Sequence, residues 1–206
     1  MIMAMKTASR LAGPALAALL GLIATAPAAL AEKIPLNELS RYLNDLQTVA
    51  ADFTQVNNDG TMSTGKVYIH RPGRVRFEYT NDSSLVLASG GTVAVFDSKS
   101  KGAAQQYPLS QTPLSIILDA NVNLGRANMV TGYTERKNTT VVTAQDPAHP
   151  EYGNIQMVFT GGPTELRQWV ITDNAGEKTT VILGDMQKGV RVGASAFSIE
   201  NELNRR

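Results

Sequence analysis

The sequence lacks several features that would place it in a common class of protein. It contains no cysteine, so no disulfide can form and a hydrophobic core has to stabilise the fold. Neither sign of charge predominates: 19 Lys and Arg residues stand against 18 Asp and Glu, which argues against nucleic acid or an anionic membrane surface as the main partner. Beyond residue 31, no stretch approaches the roughly 18 consecutive apolar residues that a membrane-spanning helix needs.

Motifs of catalysis are also missing. The chain has no GxSxG elbow, no P-loop, no GxGxxG and no HExxH sequence. The two histidines, His70 and His149, are far apart in the sequence, whereas a zinc site needs a denser set of ligands. Glu200 and Glu202 lie in a polar C-terminal stretch that is typical of solvated charges. We therefore predict no catalytic residue, no metal site and no cofactor.

The first 31 residues have the pattern of a cleaved secretory signal peptide. Lys6 and Arg10 are followed by an apolar stretch, Leu11 to Ala24, and then by the cleavage sequence Ala29-Leu30-Ala31. We expect residues 32–206 to form a single exported domain. A bacterial lipoprotein carries its lipid anchor on a cysteine at this position; none is present, so we expect a soluble chain that is not membrane-anchored.

The periodicity of the apolar residues predicts two helices and about eleven strands. Leu36, Leu39, Leu43 and Leu46 form one helical stripe, and the second helix spans Thr112 to Leu118, with Thr112 as its N-cap. Elsewhere the period is two, which is typical of an antiparallel sheet and favours a barrel or a strongly curved sheet over a sandwich. The predicted strands are Asp52–Val56, Met62–His70, Arg74–Tyr79, Leu85–Ser89, Thr92–Asp97, Ala104–Tyr107, Met129–Tyr133, Thr139–Ala144, Asn154–Phe159, Glu165–Thr172 and Lys178–Met186.

One predicted hairpin places an arginine where an apolar side chain is expected. Val67, Ile69 and Arg71 point the same way, and the turn Pro72-Gly73 follows them. A guanidinium at the mouth of an apolar face has to find hydrogen-bond acceptors, because an unpaired buried charge is strongly unfavourable. Arg71 is therefore either a polar latch on an apolar interior or a strand-end residue that reaches solvent, and the pattern alone leaves both open.

The helical stripes and the inner rows of the strands predict one extensive apolar face. Such rows are usually packed core, but a partly closed barrel covered by helices can also hold a ligand cavity, and periodicity does not separate the two. The candidate lining residues are Leu39, Leu43, Leu46, Val67, Ile69, Val75, Phe77, Tyr79, Val93, Val95, Leu114, Ile117, Leu118, Trp169 and Ile171.

Several motifs occur in an order that resembles the LolA family of periplasmic lipoprotein carriers. They are Phe53-Thr54-Gln55 after the first helix, Gly65 in the next strand, the hairpin Arg71 to Tyr79, the segment Leu87 to Asp97, and the helix Thr112 to Leu118. The resemblance implies a mainly β fold with a helical lid (α+β): an unclosed antiparallel β-barrel whose hydrophobic cavity takes the acyl chains of a lipoprotein. It also implies that Arg71 hydrogen-bonds to the lid and keeps the empty cavity shut.

The partners implied by the resemblance are acylated lipoproteins, an inner-membrane lipoprotein-releasing ABC transporter complex and an outer-membrane lipoprotein receptor. The protein is then a monomeric carrier in the periplasm of a Gram-negative bacterium, with no nucleic-acid partner. Three alternatives stay open: a half-barrel sensor of mislocalised lipoproteins that binds an anti-sigma factor, a carrier of another lipid, and an exported hydrolase.

Overall fold

The computed structural model describes residues 33–99 and 104–206, so the predicted signal peptide lies outside the described residues. The helices are α1 (Leu36–Asp45), α2 (Ser115–Leu118) and α3 (Ile199–Arg205). The strands are β1 (Thr48–Val56), β2 (Met62–His70), β3 (Arg74–Tyr79), β4 (Leu85–Ser89), β5 (Thr92–Phe96), β6 (Gln105–Pro108), β7 (Val130–Arg136), β8 (Thr139–Gln145), β9 (Asn154–Thr160), β10 (Glu165–Thr172), β11 (Lys178–Leu183) and β12 (Gln187–Lys188). In this part of the chain no helix is long and apolar enough to cross a bilayer.

All the strands pair antiparallel in one sheet. Its order is β6-β5-β4-β3-β2-β1-β11-β10-β9-β8-β7, with β12 paired to β1, so β6 and β7 form the two ends and the sheet does not close. The predicted fold class, an unclosed antiparallel β-barrel under short helices, is confirmed.

The bounds of β2, β3, β4 and β10 agree with the prediction, because two-residue alternation and flanking turn residues define them clearly. Other elements differ. Strand β1 begins at Thr48 rather than Asp52, since the chain enters the sheet directly after α1. Helix α2 begins at Ser115, and Thr112 is not its N-cap: the Thr112 hydroxyl donates to the carbonyl of Leu109 in a preceding 3-10 turn.

A glycine allows two strands to approach closely in the β2–β3 pair. A Cβ atom built on Gly65 would lie 1.9 Å from the carbonyl oxygen of Glu78. A side chain at this position would therefore push β3 away from β2. This close approach is a physical reason for the Gly65 motif.

Helices α1 and α2 cover the inner face of the sheet and bury the main core between them. Leu39 and Leu43 of α1 and Leu118 of α2 are at most 2% exposed and pack against inner side chains such as Val67 and Ile155. The predicted helical stripe is thus the buried side of α1, with Leu46 just beyond its last residue.

The C-terminal segment covers the outer face, where a second apolar cluster forms. Phe197 packs against outer side chains of β4 and β5, including Leu85, Leu87 and Phe96. The His70 ring contacts the Phe197 ring edge-on, with 5.7 Å between the ring centroids. Alternate side chains of β4 and β5 are thus buried on opposite faces of the sheet.

The prediction that Glu202 is a solvated charge is wrong. Helix α3 places Glu202 on the outer face of the sheet, where the residue is only 2% exposed. Its carboxylate lies 2.8 Å from the guanidinium of Arg76. Burial opposes ionisation of Glu202, but the hydrogen bond and charge of Arg76, with the charges of Arg205 and Arg206, outweigh it and lower the pKa. Glu202 is buried because α3 packs near β3, which is distant in the sequence. No local sequence pattern predicts that contact.

Candidate functional site

A cavity of about 550 Å³ lies on the inner face between the sheet and the segment that leads into α2. This volume is within the range of roughly 300–1,000 Å³ that is typical of ligand sites. Apolar side chains from strands on both sides of β1 meet there. The lining residues are Gln55, Phe77, Tyr79, Val86, Val93, Val95, Tyr107, Gln111, Thr112, Pro113, Leu114, Tyr152, Trp169, Ile171, Asp173, Asn174, Glu177, Thr179 and Val181.

Aromatic rings form part of the cavity wall: Phe77, Tyr79 and Trp169 line it, and Phe53, which does not, packs against the first two. Phe53 contacts Phe77 and Tyr79 edge-on, each at 5.3 Å between ring centroids, and Phe77 contacts Trp169 at 6.3 Å. Edge-to-face pairs of this kind add to the stability gained from burial alone. These contacts therefore join the rings of the wall to one another and to the core.

The structure divides the fifteen candidate lining residues into two groups. Those that line the cavity are Phe77, Tyr79, Val93, Val95, Leu114, Trp169 and Ile171. Those that do not line it are packed in the core between the helices and the sheet: Leu39, Leu43, Leu46, Val67, Ile69, Val75, Ile117 and Leu118. Both groups have the same alternation, and only the three-dimensional arrangement distinguishes a filled part of the inner face from a hollow part.

Sequence reasoning missed five strand residues that line the cavity: Gln55, Val86, Tyr107, Thr179 and Val181. Val86 lies between the outer residues Leu85 and Leu87, so alternation does place it on the inner face. Gln55 has the same parity as Phe53 in β1, but a glutamine is not a typical member of an apolar row. Other lining residues, including Tyr152 in a 3-10 helix and Glu177 in a loop, lie outside the strands and have no periodicity to reveal them.

Arg71 lies at the turn of the β2–β3 hairpin, and its guanidinium is buried against the helices. The residue is 5% exposed. Its Nη1 donates to the carbonyl of Leu43, and its Nη2 donates to Asn44 Oδ1 at 3.1 Å and to the carbonyl of Asp119. Burial lowers the pKa of Arg71 and the carboxylate of Asp119 opposes the shift, yet a guanidinium stays charged at any physiological pH. Arg71 thus does not reach solvent; it joins α1 to the segment after α2.

Other polar contacts join α1 to residues 119–124. We call this contact between α1 and the segment after α2 the lid seam. The Asn44 side chain accepts from the Val122 amide and donates to the Val122 carbonyl, both at 2.9 Å. The Ser40 hydroxyl accepts from the Leu124 amide at 3.0 Å. At the hairpin turn, the Gly73 amide donates to the carbonyl of Leu118 at 2.9 Å. These polar contacts therefore add to the apolar packing by which Leu43 and Leu118 hold the lid on the sheet.

A family model described as outer membrane lipoprotein carrier protein LolA matches residues 44–200, which include Arg71 and every residue that lines the cavity. The chain belongs to the LolA family. Helix α1 begins before the LolA match, and α3 ends after it.

Similar proteins of this family are named outer-membrane lipoprotein carrier protein. That of Chromobacterium violaceum is 24% identical over 188 residues, which cover 85% of this chain and 88% of that protein. That of Methylococcus capsulatus is 37% identical over 73 residues, and that of Coxiella burnetii is 27% identical over 139 residues. These two matches cover 32% and 65% of this chain, and the chain spans 35% and 61% of the length of those relatives.

Proposed function

We propose that this protein binds the acyl chains of lipoproteins in its inner cavity and carries them through the periplasm. An inner-membrane ABC transporter complex supplies the cargo, and an outer-membrane receptor takes it. The observation that carries the proposal is an apolar cavity beside a lid that a buried arginine fastens. Membership of a family described as outer membrane lipoprotein carrier proteins supports the same activity.

The chemistry of the cavity suits acyl chains. Each methylene group moved from water to an apolar surface contributes about 0.8 kcal/mol, so a cavity lined by Phe77, Trp169 and Val93 favours hydrocarbon over a polar ligand. Opening of the lid along its seam would add Leu43 and Ile117 to the surface that faces the cargo. The packed group of candidate lining residues is then part of the site in the open state.

In this proposal Arg71 is the latch of the lid. A guanidinium with three acceptors holds α1 and the segment after α2 together, and cargo has to displace that arrangement. The closed lid therefore competes with cargo and weakens its retention. Transfer to a receptor then needs no energy source at the carrier, provided that the receptor binds the acyl chains more tightly.

Identification of the bound cargo tests the proposal. The full chain is expressed in a Gram-negative host, recovered from the periplasm and analysed by native mass spectrometry with and without lipid extraction. We expect a one-to-one complex with an acylated lipoprotein. A different class of lipid would instead assign the cavity to another carrier activity. A protein recovered empty is next mixed with a triacylated lipoprotein in detergent below its critical micelle concentration, where failure to bind contradicts the proposal.

A further inference from the structure

The cavity is separate from the lid seam. None of the described lining residues belongs to α1 or α2, and neither Arg71 nor any of its three hydrogen-bond partners is among them. The segment that leads into α2 contributes Gln111 to Leu114, which precede the helix. A ligand that fills this cavity therefore touches neither α1 nor the latch.

The cavity reaches the surface while the lid is closed. Trp169 lines its apolar part and is fully buried, whereas Tyr107, Asp173 and Glu177 also line the cavity and are exposed to solvent. The same site thus combines an apolar interior with a polar entrance. An amphiphile with one apolar end and one polar end has the matching distribution, and it enters without opening the lid seam.

The volume limits how many acyl chains the closed protein holds. An apolar cavity of about 150 Å³ accommodates one benzene molecule, which is about 25 Å³ for each carbon atom. At that density, a cavity of about 550 Å³ corresponds to about 22 carbon atoms. One myristoyl or palmitoyl chain therefore fits together with its linkage, and two such chains do not fit. Further chains need the additional surface that opening of the lid provides.

The charges at the entrance favour one kind of headgroup. Asp173 and Glu177 bear carboxylates, and among the described lining residues there is no Lys, Arg or His. Another negative charge brought next to these carboxylates is repelled, whereas an uncharged headgroup is not. A fatty acid is therefore a poorer ligand than a neutral lipid with the same chain.

We propose that the latched protein binds single-chain lipids with an uncharged headgroup, such as monoacylglycerols, in this cavity while its lid stays closed. The inference rests on the proposed function and extends it, because the same cavity then has two modes of binding. One acyl chain occupies the closed state, and several chains require the open state. Arg71 thus opposes the binding of cargo with several chains and leaves the binding of a single chain unaffected.

The test compares mono-, di- and trimyristoylated forms of one uncharged, soluble peptide, each below its critical micelle concentration. Dissociation constants are measured for the full chain and for Arg71→Leu. The constants of the two- and three-chain forms should fall by up to about 5- to 150-fold in Arg71→Leu, since the open population rises by that factor. The constant of the one-chain form should stay unchanged.

Amide hydrogen exchange reports the state of the lid in each complex. The amides of Val122 and Leu124 are hydrogen-bonded across the lid seam, so they exchange when it opens. Saturation with the one-chain form should leave their protection unchanged, and saturation with the three-chain form should remove most of it. Loss of protection in the one-chain complex, or equal tightening of all three forms in Arg71→Leu, would overturn the proposal, because a single chain would then also need the open lid.

A matched pair of variants locates the single chain. Val95→Trp fills part of the cavity, and Ile182→Trp places the same side chain on the exposed outer face. Since each methylene kept out of an apolar site weakens binding by about fourfold, Val95→Trp should weaken binding of the one-chain form by more than about tenfold. Ile182→Trp should not change it. Circular dichroism establishes that each variant is folded; equal affinity of both folded variants would overturn the assignment to this cavity.

Two free lipids test the headgroup. Monomyristoylglycerol should bind about two- to fivefold more tightly than myristate at pH 8, which is the effect typical of exposed charge pairs. Glu177→Gln removes one of the two carboxylates and should reduce that difference. Equal affinity for the two lipids in the unaltered chain would overturn the preference for an uncharged headgroup.

The outcomes separate this inference from the proposed function. Failure of the unaltered chain to bind the one-chain peptide, together with tight binding of the three-chain form, overturns the inference and leaves the carrier function intact. Binding of the one-chain form under a closed lid, with no binding of the two- and three-chain forms, overturns the carrier function and supports the single-chain mode.

Discussion

Replacement of Arg71 by leucine should shift the lid towards its open state. The change removes a guanidinium that donates to the carbonyls of Leu43 and Asp119 and to the side chain of Asn44. Hydrogen bonds that involve a charged group contribute about 1.5–3 kcal/mol each, but burial of the guanidinium opposes closure by several kcal/mol. We expect a net loss of about 1–3 kcal/mol of closing free energy, which corresponds to a roughly 5- to 150-fold larger open population.

Amide hydrogen exchange measures this opening directly. The amides of Val122, Leu124 and Gly73 are hydrogen-bonded across the lid or between the hairpin turn and the lid, so their exchange reports on opening. In Arg71→Leu their exchange should be about 5- to 150-fold faster, while amides in the middle of β9 stay protected. Because the open state binds cargo, release to the receptor should slow by a similar factor.

The matched control is Arg74→Leu on the same hairpin. Arg74 pairs in register with His70 and lies on the opposite face from Val75, and it donates no hydrogen bond to the described lid residues. This variant should leave both exchange and transfer unchanged. Unaltered exchange at Val122 and Leu124 in Arg71→Leu, together with normal transfer, would refute the latch.

Three other substitutions test the cavity, the outer ion pair and the packing of the sheet. Phe77→Glu puts a charge on the cavity wall and should abolish uptake of a lipopeptide while the far-ultraviolet circular dichroism is unchanged. Glu202→Gln removes the buried carboxylate that pairs with Arg76, which keeps its second partner Glu78 at 2.6 Å, and should lower the free energy of unfolding at pH 7 by about 2 kcal/mol. Gly65→Ala pushes a Cβ atom against the carbonyl of Glu78 and should destabilise the fold by about 3 kcal/mol in urea denaturation.

The Glu202 prediction includes a dependence on pH. Its pKa is lower in the folded protein than in the unfolded chain, so the ion pair stabilises fully above the unfolded value of about 4.3. That stabilisation is lost as the pH falls through the folded pKa. The difference in stability between the original chain and Glu202→Gln should therefore shrink in acid; a constant difference from pH 7 to pH 2 contradicts the assignment.

The other two variants can also contradict the account. Uptake of the lipopeptide by Phe77→Glu would show that Phe77 is not part of the binding surface. Normal stability of Gly65→Ala would show that the close approach of β2 and β3 does not require a glycine.

The sequence predicts the sheet well because strand periodicity is a local property. The alternation of Val75, Phe77 and Tyr79 with Arg74 and Arg76 gives both the strand and its two faces correctly. Strand β12 and helix α3 were missed, since a two-residue strand and a short polar helix depend on partners that are distant in the sequence. The burial of Glu202 is the clearest case.

The candidate site was only partly predictable for the same reason. An arginine in an apolar row indicated that Arg71 needs hydrogen-bond acceptors. Two of the acceptors are backbone carbonyls, which any residue could supply, so the sequence does not show where they lie. Likewise, the inner-face pattern does not tell Val75, which is packed, from Val93, which faces the cavity. Whether an inner side chain is packed or faces the cavity depends on how far the helices extend over the sheet. Helix α2 begins at Ser115, three residues later than its apolar sequence suggests.

The most direct test of the central claim uses the single tryptophan of the chain. Trp169 is fully buried and lines the cavity, so its fluorescence reports contact with a ligand at the cavity wall. A lipopeptide with brominated acyl chains should quench this emission as it binds, and the same lipopeptide without bromine should not. Binding of the brominated lipopeptide, established independently by ultracentrifugation, with no quenching of Trp169 would show that the acyl chains lie elsewhere and would contradict the account.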